Sequence, residues 1–159
     1  MKTRILDIIP DTAVDGTGLR TAVYFAGCAH KCKGCHNPES WDFLGGREMD
    51  ISEIVDLVDE YDNHKVTLSG GDPMYRKDEV LELITQLKHR IPDINIWIYT
   101  GFTMDELVAM NDEKINSILR EIDVLVDGPF IEELKDEDAL FRGSTNQNII
   151  HLKNGKESI

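Results

Sequence analysis

The chain has 159 residues, of which 41% are hydrophobic, so it is long enough for a single domain, residues 1–159, with a sizeable core. Its net charge of −13 argues against a nucleic-acid partner, because a field of that sign repels a phosphate backbone. No apolar run approaches the roughly 20 residues that cross a bilayer, and the N-terminus does not resemble a signal peptide. We therefore expect a cytoplasmic protein that has no membrane partner.

Hydrophobic periodicity predicts strands that alternate with helices. In chain order, the predicted elements are an edge strand at residues 4–9, a strand at 21–26, a helix at 51–61, a strand at 66–69, a helix at 78–90, a strand at 94–100, a helix opened by a capping box at 103–106, a helix at 111–121, and strands at 122–126 and 147–152. Asp50 is the candidate N-cap of the first helix, and residues 128–143 are predicted to be mostly polar loop.

This alternation indicates parallel strands joined by right-handed crossovers, and therefore an α/β fold. A complete eight-stranded barrel takes about 250 residues, so we expect a partial, open parallel α/β barrel, with a doubly wound sheet as the alternative. In either architecture, the loops at residues 27–37, 69–73, 100–102 and 127–130 follow the carboxyl ends of strands. We expect these loops to converge on one site, because that edge of a parallel sheet carries the chemistry.

The three cysteines, Cys28, Cys32 and Cys35, form one compact C-x3-C-x2-C motif. An odd and clustered set points to metal binding or redox chemistry rather than to a disulfide framework. Iron–sulfur clusters normally have four cysteine ligands, so three thiolates would leave one iron of a cubane open to a small molecule. A zinc site with His30 or His36 as the fourth ligand is the alternative.

The cysteine motif, placed after the first predicted parallel strand, resembles that of the radical S-adenosylmethionine superfamily. The resemblance implies a 4Fe-4S cluster whose open iron takes the amino and carboxylate groups of S-adenosylmethionine. It also implies reductive cleavage of this cofactor to a 5′-deoxyadenosyl radical that abstracts a hydrogen atom. Gly34 stands where many members have an aromatic residue, and Gly34 and His36 are counted among the cofactor-binding candidates.

A second motif, Ser-Gly-Gly-Asp-Pro at residues 69–73, follows the next parallel strand. Its glycines let a ligand approach the backbone, and its carboxylate can pair with an ammonium group; by composition alone it is an ordinary turn signal. It resembles the superfamily's Gly-Gly-Glu-Pro motif, which implies that it holds the amino group of the methionine moiety. The resemblance also implies that Thr100 and Asp127, two polar residues that end later strands, help to bind S-adenosylmethionine or a nearby cation. The cofactor-binding candidates in these loops are therefore Gly70, Gly71, Asp72, Thr100 and Asp127.

A third motif, Asp-Gly-Thr-Gly-Leu-Arg at residues 15–20, is a weak signal by composition. It resembles a segment of the enzymes that activate glycyl radical enzymes, which implies a position near the docked loop of the target protein. The predicted topology instead places a loop before the first parallel strand opposite the cluster. The partner-docking candidates are Asp15, Gly16, Gly18 and Arg20.

Together with residues 32–35, 125–128 and 142–147, these motifs resemble the family that activates anaerobic ribonucleoside-triphosphate reductases. The resemblance implies that the large reductase subunit is the protein substrate, that a flavodoxin-like protein donates the electron, and that a glycine loses the hydrogen atom. Three alternatives stay open: activation of another glycyl radical enzyme of the pyruvate formate-lyase type, radical chemistry on a small molecule, and a non-catalytic zinc-binding interaction module.

Overall fold

The architecture is that of a computed structural model, which describes residues 1–30, 32 and 38–158; Gly34, Cys35 and His36 lie outside them. The strands are Lys2–Thr12 (β1), Arg20–Phe25 (β2), Arg47–Asp50 (β3), Lys65–Gly70 (β4), Asn95–Tyr99 (β5), Val124–Asp127 (β6), Asn148–Lys153 (β7) and Lys156–Glu157 (β8). The helices are Ile51–Tyr61 (α1), Lys77–Arg90 (α2), Met104–Ala109 (α3) and Glu113–Glu121 (α4), with 3-10 turns at Pro38–Trp41, Pro73–Arg76 and Glu132–Leu134. Within these ranges, no helix is long and apolar enough to cross a membrane.

The strands form a sheet in the order β3-β1-β2-β4-β5-β6-β7-β8. Strands β2, β4, β5 and β6 are parallel neighbours, as the alternation of elements predicts. Strands β1 and β3 extend the sheet in antiparallel fashion beyond β2, and β7 and β8 do so beyond β6. The chain is therefore a mixed α/β structure, and its sheet is open over the residues described.

The four helices share one core with one face of the sheet. Their buried residues include Ile54 of α1, Leu83 of α2, Leu107 of α3 and Ile118 of α4, which belong to the same cluster as Val23, Leu68, Ile98 and Leu125 of the parallel strands. Trp97, Val124 and Val126 form a second cluster on the opposite side, which we call the helix-free face. A doubly wound sheet carries helices on both faces, so the one-sided packing does not match that alternative.

A strand does include residues 4–9, but the prediction was wrong about its length and about its place at the edge of the sheet. Strand β1 runs over Lys2–Thr12 and is internal, because it pairs with β2 on one side and with β3 on the other. The sequence pattern did not predict β3, whose four residues include one buried apolar side chain, Met49. A strand this short and polar is defined by its pairing with β1 rather than by its own periodicity.

The two predicted helix caps had different outcomes. Asp50 stands at the N-cap of α1 but makes no side-chain capping bond. It is also the last residue of β3, and the Ile51 N–H donates to the carbonyl of Met1 at 2.9 Å instead. The capping box of α3 is confirmed, because the Thr103 hydroxyl accepts from the Glu106 N–H at 3.1 Å and the Glu106 carboxylate accepts from the Thr103 N–H at 2.9 Å.

Candidate cofactor site

The loops that follow the parallel strands meet at the carboxyl edge of the sheet, where β2, β4, β5 and β6 end. The Asp72 N–H donates to the Gly27 carbonyl at 2.9 Å, and the Gly71 N–H donates to the Phe25 carbonyl at 2.7 Å. The Gly128 N–H donates to the Phe102 carbonyl at 2.9 Å, which joins the last two loops. The Gly101 N–H donates to the Asp72 carboxylate at 2.9 Å and so links the two pairs of loops. The predicted meeting of the four loops at one edge is therefore confirmed for their described parts.

Two glycines allow the loops after β2 and β4 to approach this closely. A Cβ at Gly71 would lie 2.4 Å from the Gly27 carbonyl oxygen. A Cβ at Gly70 would lie 2.3 Å from the backbone nitrogen of Phe25, and Gly70 has a φ of +104°, which disfavours any side chain. The glycines of the second motif thus have a packing role beside their predicted role in cofactor binding.

The described cysteines, Cys28 and Cys32, follow the end of β2. Cys28 is buried, and its N–H lies 3.4 Å from the Trp41 carbonyl; Cys32 is half-buried. The pKa of the nearby Tyr75 hydroxyl is raised, mainly by burial and to a smaller extent by the charges of Asp72 and Cys28. Two cysteines four positions apart after a strand end supply the soft ligands that an iron–sulfur cluster takes. The third predicted ligand, Cys35, lies outside the described residues, within which no group of three metal-binding side chains occurs.

Asp72 is the centre of the hydrogen bonding at this edge. Its side chain is fully buried. One carboxylate oxygen, Oδ1, accepts from the Met74 N–H at 3.0 Å. The other, Oδ2, accepts from the Thr100 hydroxyl and the Gly101 N–H, both at 2.9 Å, and lies 2.7 Å from His30 Nε2. The structure therefore brings Asp72 and Thr100 together, as their positions after parallel strands predict.

His30 is a member of this site that the sequence did not assign to it. Its ring lies 4.5 Å from the Phe102 ring and 5.2 Å from the Tyr75 ring, centroid to centroid. A Cβ at Gly101 would come within 2.5 Å of the His30 ring. In the zinc alternative, His30 is a candidate metal ligand. In the structure, Nε2 of His30 contacts the Asp72 carboxylate instead. These residues are 42 apart, so no local pattern could have revealed the pair.

Arg76 is a second residue that sequence reasoning missed. Its Nε donates to the Ala26 carbonyl at 2.5 Å, and its Nη2 donates to the Phe43 carbonyl. The guanidinium carbon lies 6.0 Å from the centre of the Phe43 ring. Arg76 thus ties the turn after β4 to the backbone on both sides of the cysteine motif.

Asp127 lies at the end of β6, but its carboxylate contacts backbone rather than the other candidate side chains. Oδ2 accepts from the Met104 N–H at 2.8 Å, and Oδ1 accepts from the Asn148 N–H at 3.1 Å. It therefore joins the start of α3 to the start of β7. Its role toward a cofactor or cation stays a prediction.

Residues 142–147 brace the loop after β6. The Gln147 side-chain oxygen accepts from the Gly143 N–H at 2.8 Å, and its nitrogen donates to the Gly128 carbonyl at 3.0 Å. The Asn146 side chain donates to the Pro129 carbonyl at 2.8 Å. This polar segment therefore has a structural function that composition alone did not reveal.

Arg20, from the third motif, is buried at the amino edge of the sheet, where the parallel strands begin. Its guanidinium donates to the Thr67 hydroxyl at 2.9 Å, to the Val66 carbonyl at 2.9 Å and to the Asn95 carbonyl at 3.0 Å. Burial lowers the pKa of Arg20 to about 10, although the charge of Asp123 opposes this shift. The side chain is fully buried, so its direct contacts are with this chain.

The loop that precedes Arg20 folds back over the helix-free face. The Asp15 carboxylate accepts from the Tyr24 hydroxyl at 2.5 Å, and the Asp15 carbonyl accepts from the Thr67 hydroxyl at 2.6 Å. A Cβ at Gly16 would lie 2.8 Å from Arg20 Cδ and 3.0 Å from the Trp97 ring. The loop enters at the amino edge, as the topology predicts, yet it covers the face of the sheet.

A cavity of about 470 Å³ separates this loop from residues 137–143. Asp15 and Tyr99 line it, together with the exposed apolar residues Val14 and Leu140. The Tyr99 hydroxyl oxygen is buried and has no hydrogen-bond partner among the residues described. The pKa of Tyr99 is raised, mainly by burial and to a smaller extent by the charge of Asp15. The cavity therefore has apolar and acidic walls, and one residue that lines it carries a buried hydroxyl without a partner among the described residues.

Comparison with known proteins assigns the chain first to a class. Residues 14–150 match the family model described as a 4Fe-4S single cluster domain, and the chain belongs to that class. This family favours the iron–sulfur interpretation of the cysteine motif over the zinc alternative.

Comparison with curated relatives identifies the family within this class. The anaerobic ribonucleoside-triphosphate reductase-activating protein of Vibrio cholerae is 41% identical over 149 residues, which cover 89% of this chain and 93% of the relative. The proteins of that name from Haemophilus influenzae and Escherichia coli K12 are 37% and 35% identical, and the matches cover 92% and 91% of this chain and 96% of each relative. The chain therefore belongs to the family of anaerobic ribonucleoside-triphosphate reductase-activating proteins.

Proposed function

We propose that this chain activates an anaerobic ribonucleoside-triphosphate reductase by generating a glycyl radical on its large subunit. The observation that supports this most strongly is the junction of the cysteine loop with Asp72 at one sheet edge, in a chain of the activating-protein family. When bound, a 4Fe-4S cluster and S-adenosylmethionine would supply the radical chemistry that removes a hydrogen atom from a glycine Cα, with one electron from a flavodoxin-like donor.

In this proposal, the cysteine loop holds the cluster and the neighbouring loops hold the cofactor. Cys28, Cys32 and Cys35 are the thiolate ligands, and Asp72 receives the amino group of S-adenosylmethionine. Thr100 supports Asp72 through the hydroxyl bond to its carboxylate. The other proposed cofactor contacts are Gly34, His36, Gly70, Gly71 and Asp127.

The one-sided packing of the helices supports a partial, open α/β barrel of the radical S-adenosylmethionine type. In such a barrel, the helix-free face with Trp97 and Val126 would be the inner surface. Parallel strands with all helices outside are the repeating unit of α/β barrels. An incomplete barrel suits a protein substrate, because a polypeptide segment must reach the cofactor.

The cavity over the helix-free face is the proposed entrance for the reductase loop. Asp15 offers it a hydrogen-bond acceptor, and Val14 and Leu140 are 73% and 66% exposed beside it. Gly16 and Gly18 would shape the loop around Asp15. Arg20 would act at a distance, since its buried guanidinium positions this loop on the sheet.

The test begins with anaerobic purification, reconstitution with iron and sulfide, and electron paramagnetic resonance of the reduced cluster with and without S-adenosylmethionine. We expect a 4Fe-4S signal that changes when the cofactor is added. Addition of the large reductase subunit and a flavodoxin-like donor should then yield a glycyl radical signal. A Cys32→Ser variant is the control and should give neither response.

Two results would contradict the proposal. Zinc in place of iron, or a cluster that is indifferent to S-adenosylmethionine, would indicate a metal-stabilised interaction module or an electron-transfer module. A glycyl radical on pyruvate formate-lyase but not on the reductase would keep the chemistry and replace the partner.

A further inference from the structure

We propose that His30 is a positioning residue, which holds the Asp72 carboxylate in place for the amino group of S-adenosylmethionine. This inference rests on the proposed function, because it takes Asp72 as the amino-group site. It assigns a supporting role in cofactor binding to a residue that the sequence motifs offered only as a zinc ligand.

The contact between His30 and Asp72 has the geometry of a strong hydrogen bond. Nε2 lies 2.7 Å from Oδ2. A carboxylate is an acceptor, so a hydrogen bond at this distance requires the His30 tautomer that has its N–H at Nε2. Bonds to charged groups are shorter and stronger than neutral ones. With the donors from Thr100 and Gly101, this bond fixes the direction in which the carboxylate points.

The position of the His30 ring is built into the fold rather than incidental. The ring is held between the Phe102 and Tyr75 rings, and the side chain is 16% exposed. On a third side, the absence of a side chain at Gly101 leaves room for the ring, because a Cβ there would lie 2.5 Å from it. A side chain enclosed in this way is suited to a fixed supporting role and not to displacement by a ligand.

The bond also joins two parts of the site that must act together. His30 lies midway between Cys28 and Cys32 on the cysteine loop, and Asp72 follows β4. In the proposed function, one cofactor molecule contacts both the cluster and Asp72. A direct side-chain link between the two loops therefore fixes the distance that the methionine moiety must span.

Two variants distinguish the contribution of the hydrogen bond from the contribution of ring packing. His30→Phe retains a ring between Phe102 and Tyr75 but removes the donor. His30→Gln retains an amide N–H donor near the position of Nε2. Both are reconstituted anaerobically beside the wild type, and their iron content is measured first.

Equilibrium dialysis then measures the Kd of two probes. S-adenosylmethionine has the amino and carboxylate groups, and 5′-methylthioadenosine lacks both. We expect His30→Phe to raise the Kd of S-adenosylmethionine by roughly tenfold or more, with the Kd of methylthioadenosine and the iron content unchanged. His30→Gln should recover most of the affinity.

The possible outcomes distinguish this inference from the proposed function. Equal or tighter binding of S-adenosylmethionine to His30→Phe would overturn the positioning role and leave the proposed function intact. A parallel loss for both probes, or a loss of iron, would show a general structural role and overturn it as well. A wild-type protein that holds iron but does not bind S-adenosylmethionine would overturn both proposals.

Discussion

The carboxyl and amino edges of the parallel sheet both carry loops rich in glycine and aspartate, but they bury opposite charges. At the carboxyl edge, the Asp72 carboxylate accepts hydrogen bonds from loops that follow two different strands. At the amino edge, the Arg20 guanidinium donates to carbonyls of Val66 and Asn95. In the proposed function, the carboxylate at the carboxyl edge receives a cationic ligand group, whereas the guanidinium at the amino edge donates to acceptors of this chain and stabilises the fold.

The largest effect is expected at the amino edge, from Arg20→Met. This change leaves the Val66 and Asn95 carbonyls without their donor and should lower the free energy of unfolding by about 3 kcal/mol or more. Denaturant unfolding measures it. The control is Arg120→Met, at an exposed position in α4, which should change stability by less than about 0.5 kcal/mol. Similar losses in the two variants would contradict the scaffold role of Arg20.

Gly16→Ala tests whether the amino-edge loop serves the partner rather than the cofactor. The new Cβ would press on Arg20 and Trp97 at a φ of +134°, and should shift the loop that lines the cavity. We expect the glycyl radical yield on the reductase to fall roughly tenfold, while iron content and affinity for S-adenosylmethionine stay at wild-type values.

The control for this variant is Gly155→Ala, which has the same kind of backbone cost at a φ of +79° but lies beside Arg120. Its radical yield should match that of the wild type. Loss of cofactor affinity in Gly16→Ala would show that the two edges are not functionally separate.

Gly101→Ala makes the matching test at the carboxyl edge. A Cβ within 2.5 Å of the His30 ring would push the ring from its place and weaken its bond to Asp72. Affinity for S-adenosylmethionine should fall several-fold. In a His30→Ala background, the same change should have little further effect, because the space is then open. Additive losses in this double-mutant cycle would mean that Gly101 acts on something other than His30.

The same contrast explains how far the sequence could predict the molecule. The helix at residues 51–61 and the capping box of α3 were predicted correctly, because each is encoded by residues a few positions apart. The meeting of Asp72 with Thr100 followed from topology, since both end parallel strands. The bond of His30 to Asp72 and that of Arg20 to Thr67 were not predictable in this way, because each joins residues more than 40 positions apart whose identity gives no periodic signal.

The smallest predicted effect concerns His64, which lies at the amino edge just before β4. Its ring nitrogens lie 3.1 Å from carboxylate oxygens of Asp93 and Asp62, and these carboxylates, Asp93 foremost, raise the pKa of His64. A raised folded-state pKa contributes stability that is complete below the ordinary value of 6.5 and is lost as the pH rises through the folded-state pKa. His64→Asn removes the titrating ring but tolerates the left-handed backbone at a φ of 54°.

The free energy of unfolding should therefore differ between the wild type and His64→Asn mainly at acidic pH, and the difference should shrink above the raised pKa. Unfolding at a series of pH values on either side of 6.5 measures it. Affinity for S-adenosylmethionine should be equal in the two proteins at each pH, because His64 stands at the opposite edge from Asp72. A pH-dependent difference in affinity would show that charge at the amino edge reaches the cofactor site, and the division between a stabilising edge and a binding edge would then fail.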